Sequence, residues 1–126
     1  MAKGFGQDIE VQSNRVSLLK RKLKDAKTPD DIMMNIMEVF TKTELVPDVG
    51  GYYTFVYFPK TNDITYDEHP LVAVTAIERW GFKGINFHWG QSRNYTWEEI
   101  IGKLYVINKD EIDYLRTLNF AKYVTK

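Results

Sequence analysis

Val16, Leu19, Leu23 and Ala26 recur at spacings of three, four and three, which sets them on one stripe of a helix. Ser13 or Asn14 supplies its N-cap. Thr28-Pro29-Asp30-Asp31 then restarts the helical pattern: Thr28 caps, Pro29 suits the first helical position, and two carboxylates sit in the positive first turn. Ile32, Met33, Ile36, Met37, Val39 and Phe40 make a broad apolar face suited to burial against the first helix or the body of the domain. This helix is expected to stop near Thr43. The stretch Leu45-Val46-Pro47-Asp48-Val49-Gly50-Gly51 mixes apolar residues with turn formers and reads as a linker that packs down.

From Tyr52 the period changes. Tyr52-Tyr53-Thr54-Phe55-Val56-Tyr57-Phe58 is wholly aromatic or β-branched, and alternation sends Tyr53, Phe55 and Tyr57 to one face. Residues 59–63 make a turn and Ile64-Thr65-Tyr66 a short return strand; Leu71 to Ile77 and Lys83 to Trp89 are further strands. Gly81 and Gly84 read as turn glycines supplying positive φ. Thr96 and Asn108 each precede a glutamate by three positions, Glu99 and Glu111, so both read as helix starts. Leu104-Tyr105-Val106-Ile107 is a strand between them, and Ile112, Leu115 and Leu118 form a final helical stripe. No segment between the central strands is long enough for a crossover helix, which argues for antiparallel pairing. The expected fold class is α+β: a flexible segment at 1–12, a helical hairpin at 13–44, and at 50–126 a small antiparallel SH3-like β-barrel with short C-terminal helices.

Charge modifies this picture. Seventeen Lys and Arg balance seventeen Asp and Glu over 126 residues, which disfavours a generally basic nucleic-acid binder. The balance is uneven, however: residues 1–28 hold seven cations against three acids, a net of +4 that leaves −4 for the rest. Lys20, Arg21, Lys22, Lys24 and Lys27 concentrate that charge on the first helix. Such a helix is either a solvated face or one that lies along phosphates or an acidic partner. No apolar run is long enough to span a membrane and the N-terminal residues lack a secretory pattern, so a soluble intracellular protein is expected. With no cysteine there is no disulfide, thiolate nucleophile or zinc ribbon, and no cofactor motif is found.

The one cluster resembling a catalytic or metal constellation is Asp67-Glu68-His69 with His88. A metal-dependent nuclease built on Asp67, Glu68 and His88 needs carboxylates that converge on one ion. Adjacent residues of an extended segment point to opposite faces, so Asp67 and Glu68 are poorly placed to share it. The plainer reading is a polar turn leading into a strand. Ser13, Ser17 and Ser92 sit in no nucleophile elbow. Gly81, Gly84 and Gly90 match neither the dinucleotide nor the Walker spacing. The many aromatics are core or interface, or with Lys60, Arg79, Lys83 and Arg93 a base-stacking surface.

An ordered series of short motifs adds a family signal. It comprises Tyr53-Thr54-Phe55-Val56-Tyr57-Phe58-Pro59-Lys60-Thr61, Tyr66-Asp67, His69-Pro70-Leu71-Val72, Gly81-Phe82, Gly84-Ile85-Asn86-Phe87-His88-Trp89 and Arg93. This series resembles a module in proteins of large contractile-tailed bacteriophages. There an aromatic strand ends in Pro-Lys-Thr, Tyr-Asp precedes a Pro-Leu-Val strand, and Gly-Phe-x-Gly-Ile-Asn-x-His is followed by arginine. Some members are DNA-end protectors or virion structural proteins; here His88-Trp89 stands where the module has His-Tyr. The resemblance implies a non-enzymatic structural or accessory protein of virion assembly or DNA handling, in the infected bacterial cytoplasm or the virion. Its partners would be other phage proteins, DNA held through the basic helix, or further copies of itself. The binding residues expected are Lys20, Arg21, Lys22, Lys24, Lys27, Lys60, Asn86, His88 and Arg93. Asn86 and His88 alternate to one face of a strand, where they present a recognition surface or satisfy buried backbone groups. The alternatives are the metal-dependent nuclease and a host-takeover or toxin-like protein acting on nucleic acid.

Overall fold

The computed structural model describes residues 14–60 and 64–125; the expected flexible segment 1–12 and part of the 59–63 turn lie outside them. The first helix, α1, covers residues 14–22 and tightens into a 3-10 turn at Leu23–Asp25. α2 spans Pro29–Val39 and begins with a reciprocal cap, Thr28 accepting from the Asp31 N–H while the Asp31 carboxylate accepts from the Thr28 N–H. It ends earlier than the pattern suggests. The chain beyond Phe40 instead gives a two-residue strand, β1 (Thr43–Glu44), against β7 (Ile100–Ile107).

Among the described residues, eight strands form two antiparallel sheets. The larger has the order β1-β7-β2-β4-β5-β6, with β2 at Tyr52–Tyr57, β4 at Leu71–Ile77, β5 at Gly81–Asn86 and β6 at Gln91–Thr96. The smaller pairs β3 (Thr65–Asp67) with β8 (Tyr123–Thr125). A six-residue helix, α3 (Ile112–Thr117), precedes β8. The large sheet curls strongly. β2 and β6 are separated by two strands, about 14 Å in a flat sheet, yet the Tyr57 and Tyr95 ring centroids lie 5.1 Å apart. Register shifts in β2 and β4 mark irregularities of the kind that bend a sheet. The sheet nevertheless stays open, since no ladder among the described residues joins β1 to β6; the expected small barrel is a curled sheet that does not close.

The alternation read in β2 holds: Tyr53, Phe55 and Tyr57 are buried on the concave face with Val72, Val74, Phe82, Tyr95 and Leu104. A second cluster joins the helices to the other side. Leu19, Met33, Ile36 and Phe40 pack with Leu71, Ile107, Ile112, Leu115 and Phe120. The helical hairpin therefore shares a core with the sheet.

Several expectations are corrected. Thr96 opens a 3-10 turn, Trp97–Glu99, and no helix, because Ile100 and Ile101 already belong to β7. β3 pairs with β8 and is no return strand for β2. Gly81 and Gly84 lie inside β5, where smallness matters: a Cβ on Gly81 would sit 1.9 Å from the Tyr95 carbonyl oxygen, and one on Gly84 2.2 Å from Val72. Positive φ belongs to Gly50, Gly90 and Gly102. The linker packs down only at Pro47, while Leu45, Val46 and Val49 are exposed.

Candidate functional site

The β3 strand ends in the polar cluster singled out by sequence. Asp67 and Glu68 are both buried but serve different neighbours. Asp67 Oδ1 accepts from the backbone N–H groups of His69 (2.9 Å) and Lys122 (2.8 Å). Its Oδ2 faces His88 Nδ1 at 3.7 Å, beyond hydrogen-bond distance. Glu68 Oε1 lies 3.9 Å from Lys122 Nζ. Asp67 and His88 are thus brought together and Glu68 is turned toward Lys122, as extended backbone requires of neighbours. Among the described residues no group of three or more His, Asp or Glu gathers around a possible metal position.

His69, the third residue of the Asp67-Glu68-His69 run, is the hub. It bridges the Phe120 carbonyl (Nδ1, 2.9 Å) and the Asp30 carboxylate (Nε2, 3.2 Å). Asp30 also receives a bond from Lys122 Nζ at 2.8 Å. That bond, with the charges of Lys122 and His69, outweighs a small burial effect and holds Asp30 below the ordinary carboxylate value; Asp30 correspondingly raises Lys122. These contacts fasten the segment before β8 to α2 and β3. Nothing in the local sequence around Lys122 signals this, since its partners lie 54 and 92 positions away.

Asn86 does what a buried amide at a sheet end does best. Its side-chain oxygen accepts from the N–H groups of His88 (2.8 Å) and Trp89 (3.1 Å), and its Nδ2 donates to the Tyr95 hydroxyl (3.3 Å). Burial, partly offset by Asn86, pushes Tyr95 well above the ordinary phenol range. The His88 ring is edge-on to Phe120 at 4.8 Å, and both of its nitrogens are buried without a hydrogen-bond partner among the described residues. Asn86 and His88 are therefore packed inside, leaving Trp89 and Arg93 nearer the surface. The Arg93 guanidinium stacks 3.9 Å above Trp89 and bonds the Thr65 carbonyl, and Trp89 in turn packs on Tyr123. Lys60 is exposed, and its backbone N–H bonds Glu99. Glu99 also accepts from the Tyr57 and Thr96 hydroxyls. Burial works to raise Glu99, but these bonds prevail and hold it below the usual carboxylate value. Burial dominates at Tyr57, which is pushed up to about 12.

Lys20, Arg21, Lys22, Lys24 and Lys27 are all exposed. Lys22 pairs with Glu38 at 3.1 Å and Lys20 lies over the Tyr114 ring. Among the described residues Arg21, Lys24 and Lys27 make no ion pair. A cation the sequence reading passed over, Arg15, instead turns inward: its Nε lies 3.1 Å from the fully buried Glu111, whose other oxygen accepts the Asn108 N–H of a capping box. Burial raises Glu111, against the opposing pull of Asn108 and Arg15. A groove of about 680 Å³, floored by Tyr52 and Phe87 and edged by Asp110, Asp113 and Arg116, contains none of the predicted site residues. No helix among the described residues is long and apolar enough to cross a membrane. No known protein family, curated protein or solved structure matches the chain.

Proposed function

We propose that the chain is a non-enzymatic structural or accessory protein of a tailed bacteriophage. In this reading it holds another macromolecule, an acidic phage protein or DNA, during virion assembly or DNA handling in the infected bacterial cytoplasm or in the virion. The observation that carries the reading is the exposed cationic end of α1 and its following turn, with Arg21, Lys24 and Lys27 free of ion pairs among the described residues. Cations so placed on an otherwise acidic chain are available to phosphates or carboxylates. The SH3-like reading of the sheet rests on the succession β7-β2-β4-β5-β6, with a 3-10 turn between β6 and β7. In it Arg93, Trp89 and Lys60 belong to the rim of the curl, while Asn86 and His88 support that rim from inside.

Fluorescence anisotropy of a labelled DNA duplex across a salt series tests the reading. Three phosphate contacts give about a 40-fold loss of affinity between about 50 and 200 mM salt. The Arg21→Glu/Lys24→Glu/Lys27→Glu variant should lose that binding. Absence of binding at low salt removes DNA and leaves the protein partner. Magnesium-dependent cleavage of the duplex that disappears in Asp67→Ala would overturn the reading in favour of a nuclease.

A further inference from the structure

The sequence holds two histidines, and the fold sets both against one residue, Phe120. His69 Nδ1 lies 2.9 Å from the Phe120 carbonyl oxygen, and the His88 ring is edge-on to the Phe120 ring at 4.8 Å. Each also faces a carboxylate: His69 Nε2 lies 3.2 Å from Asp30 Oδ1, and His88 Nδ1 3.7 Å from Asp67 Oδ2. Their demands for protons differ. The Phe120 carbonyl only accepts, so the buried His69 must carry a proton on Nδ1 to bond it. In a neutral ring that proton is the only one, and Nε2 then presents a lone pair to the Asp30 carboxylate, which Lys122 keeps ionised. A second proton turns this repulsive contact into an ion pair. His88 makes no such demand, because one proton on Nδ1 suffices to face Asp67.

The remaining charges around His69 come from β3 and from the segment that follows Phe120. On β3, Asp67 and Glu68 are buried beside it, and Asp67 Oδ1 accepts the His69 backbone N–H, so both favour a cation there. Lys122 bonds Asp30 at 2.8 Å and opposes one. Tyr66 adds a phenol near Lys122, and Tyr123, pushed up to about 12 by burial and by Asp67, is uncharged. We infer that His69 is a pH-sensitive latch on the C-terminal segment. Doubly protonated, it ties Phe120 to α2; on losing the second proton it lets the segment from Phe120 through β8 loosen from α2 and β3. Lys122 holds Asp30 in both states, so the segment loosens without being cast off. Opening bares the pairing edge of β3, which β8 otherwise covers. The latch is independent of the binding reading, which uses the end of α1.

Two amides report on it: Glu68 N–H bonds the Lys122 carbonyl, and Lys122 N–H bonds Asp67 Oδ1, each at 2.8 Å. Hydrogen exchange of the full chain, corrected for intrinsic rates, should be followed from about pH 5.5 to about pH 8.5, with ring protonation read by imidazole 1H–15N correlation. Protection of both amides should fall about fivefold as the His69 ring becomes neutral, while amides of β2 and β4 change less than twofold. The neutral ring should keep its proton on Nδ1. Asp30→Asn alters a half-exposed side chain, and its amide can turn either oxygen or nitrogen to Nε2, so this variant should show no pH step. A wild type whose two amides keep their protection as His69 is deprotonated, a fall shared equally by β2 and β4, a neutral ring bare at Nδ1, or a full pH step in Asp30→Asn would each overturn the inference.

Discussion

Replacing Asn86 by alanine separates a structural role from recognition. Asn86 is 1% exposed, and its amide holds the N–H groups of His88 and Trp89 and the Tyr95 hydroxyl. Each buried donor left without an acceptor costs about 1–3 kcal/mol. Two N–H groups are orphaned, but the turn at 87–90 lies near the surface and water reaches part of it, so the expected loss is about 3 kcal/mol. That is a large share of the stability of an ordinary domain and corresponds to about 10 °C in melting temperature. Urea unfolding should show a lower midpoint with an unchanged slope. Asn86→Asp keeps an acceptor for both N–H groups but loses the donation to Tyr95 and adds a buried charge, so it should fall between wild type and alanine. Binding of DNA or a partner, measured well below the transition, should change less than twofold in either variant. A loss below about 0.5 kcal/mol together with a tenfold fall in binding would refute this argument and make Asn86 a contact residue.

Two glutamates should titrate stability in opposite senses. Glu99 lies below its ordinary value of 4.5, so its bonds contribute above that pH and are lost as pH falls through the folded value. Glu111 is raised, so its contribution is complete below 4.5 and is lost as pH rises through the folded value. Melting temperatures between about pH 3 and about pH 7 should show a flatter acid decline in Glu99→Gln and a relative gain at neutral pH in Glu111→Gln; parallel curves in both would refute the assignment. Gly81→Ala drives a Cβ to 1.9 Å from the Tyr95 carbonyl oxygen and should cost about 3 kcal/mol or prevent folding. Gly90→Ala meets nothing within 4 Å and strains only a φ of 70°, at about 1 kcal/mol; thermal unfolding of the two variants reverses this order if the close approach is unimportant.

The elements legible in the sequence are those with a strong local period. β2 and β4 stand where alternation and β-branching place them, and the reciprocal caps at Thr28 and Asn108 follow from residue types three positions apart. β6 was invisible because Gln91–Thr96 is an edge strand with a largely polar face, and only Tyr95 points into the core. The partner of β3 was equally hidden, since pairing with β8 joins residues about 60 positions apart and register has no local signature. At the candidate site, the divergence of Asp67 and Glu68 followed from strand geometry. Burial of Asn86 and His88 depended on Phe120 and Tyr95, and the hub at His69 on Asp30, Phe120 and Lys122. The inward turn of Arg15 among so many surface cations needed Glu111 as its partner.

Leu19, Met33, Ile36 and Phe40 fill the same cluster as Leu71, Ile107 and Phe120, and this dictates how the protein should be dissected. Cutting away the first 45 residues would strip one wall from that cluster and leave an oily seam on the remainder, prone to sticking and to exchange of segments between molecules. Deletion mapping would then register collapse of the whole rather than loss of a contact. Single charge reversals on the surface, which leave the seam closed, are the scale at which binding can be assigned to particular residues.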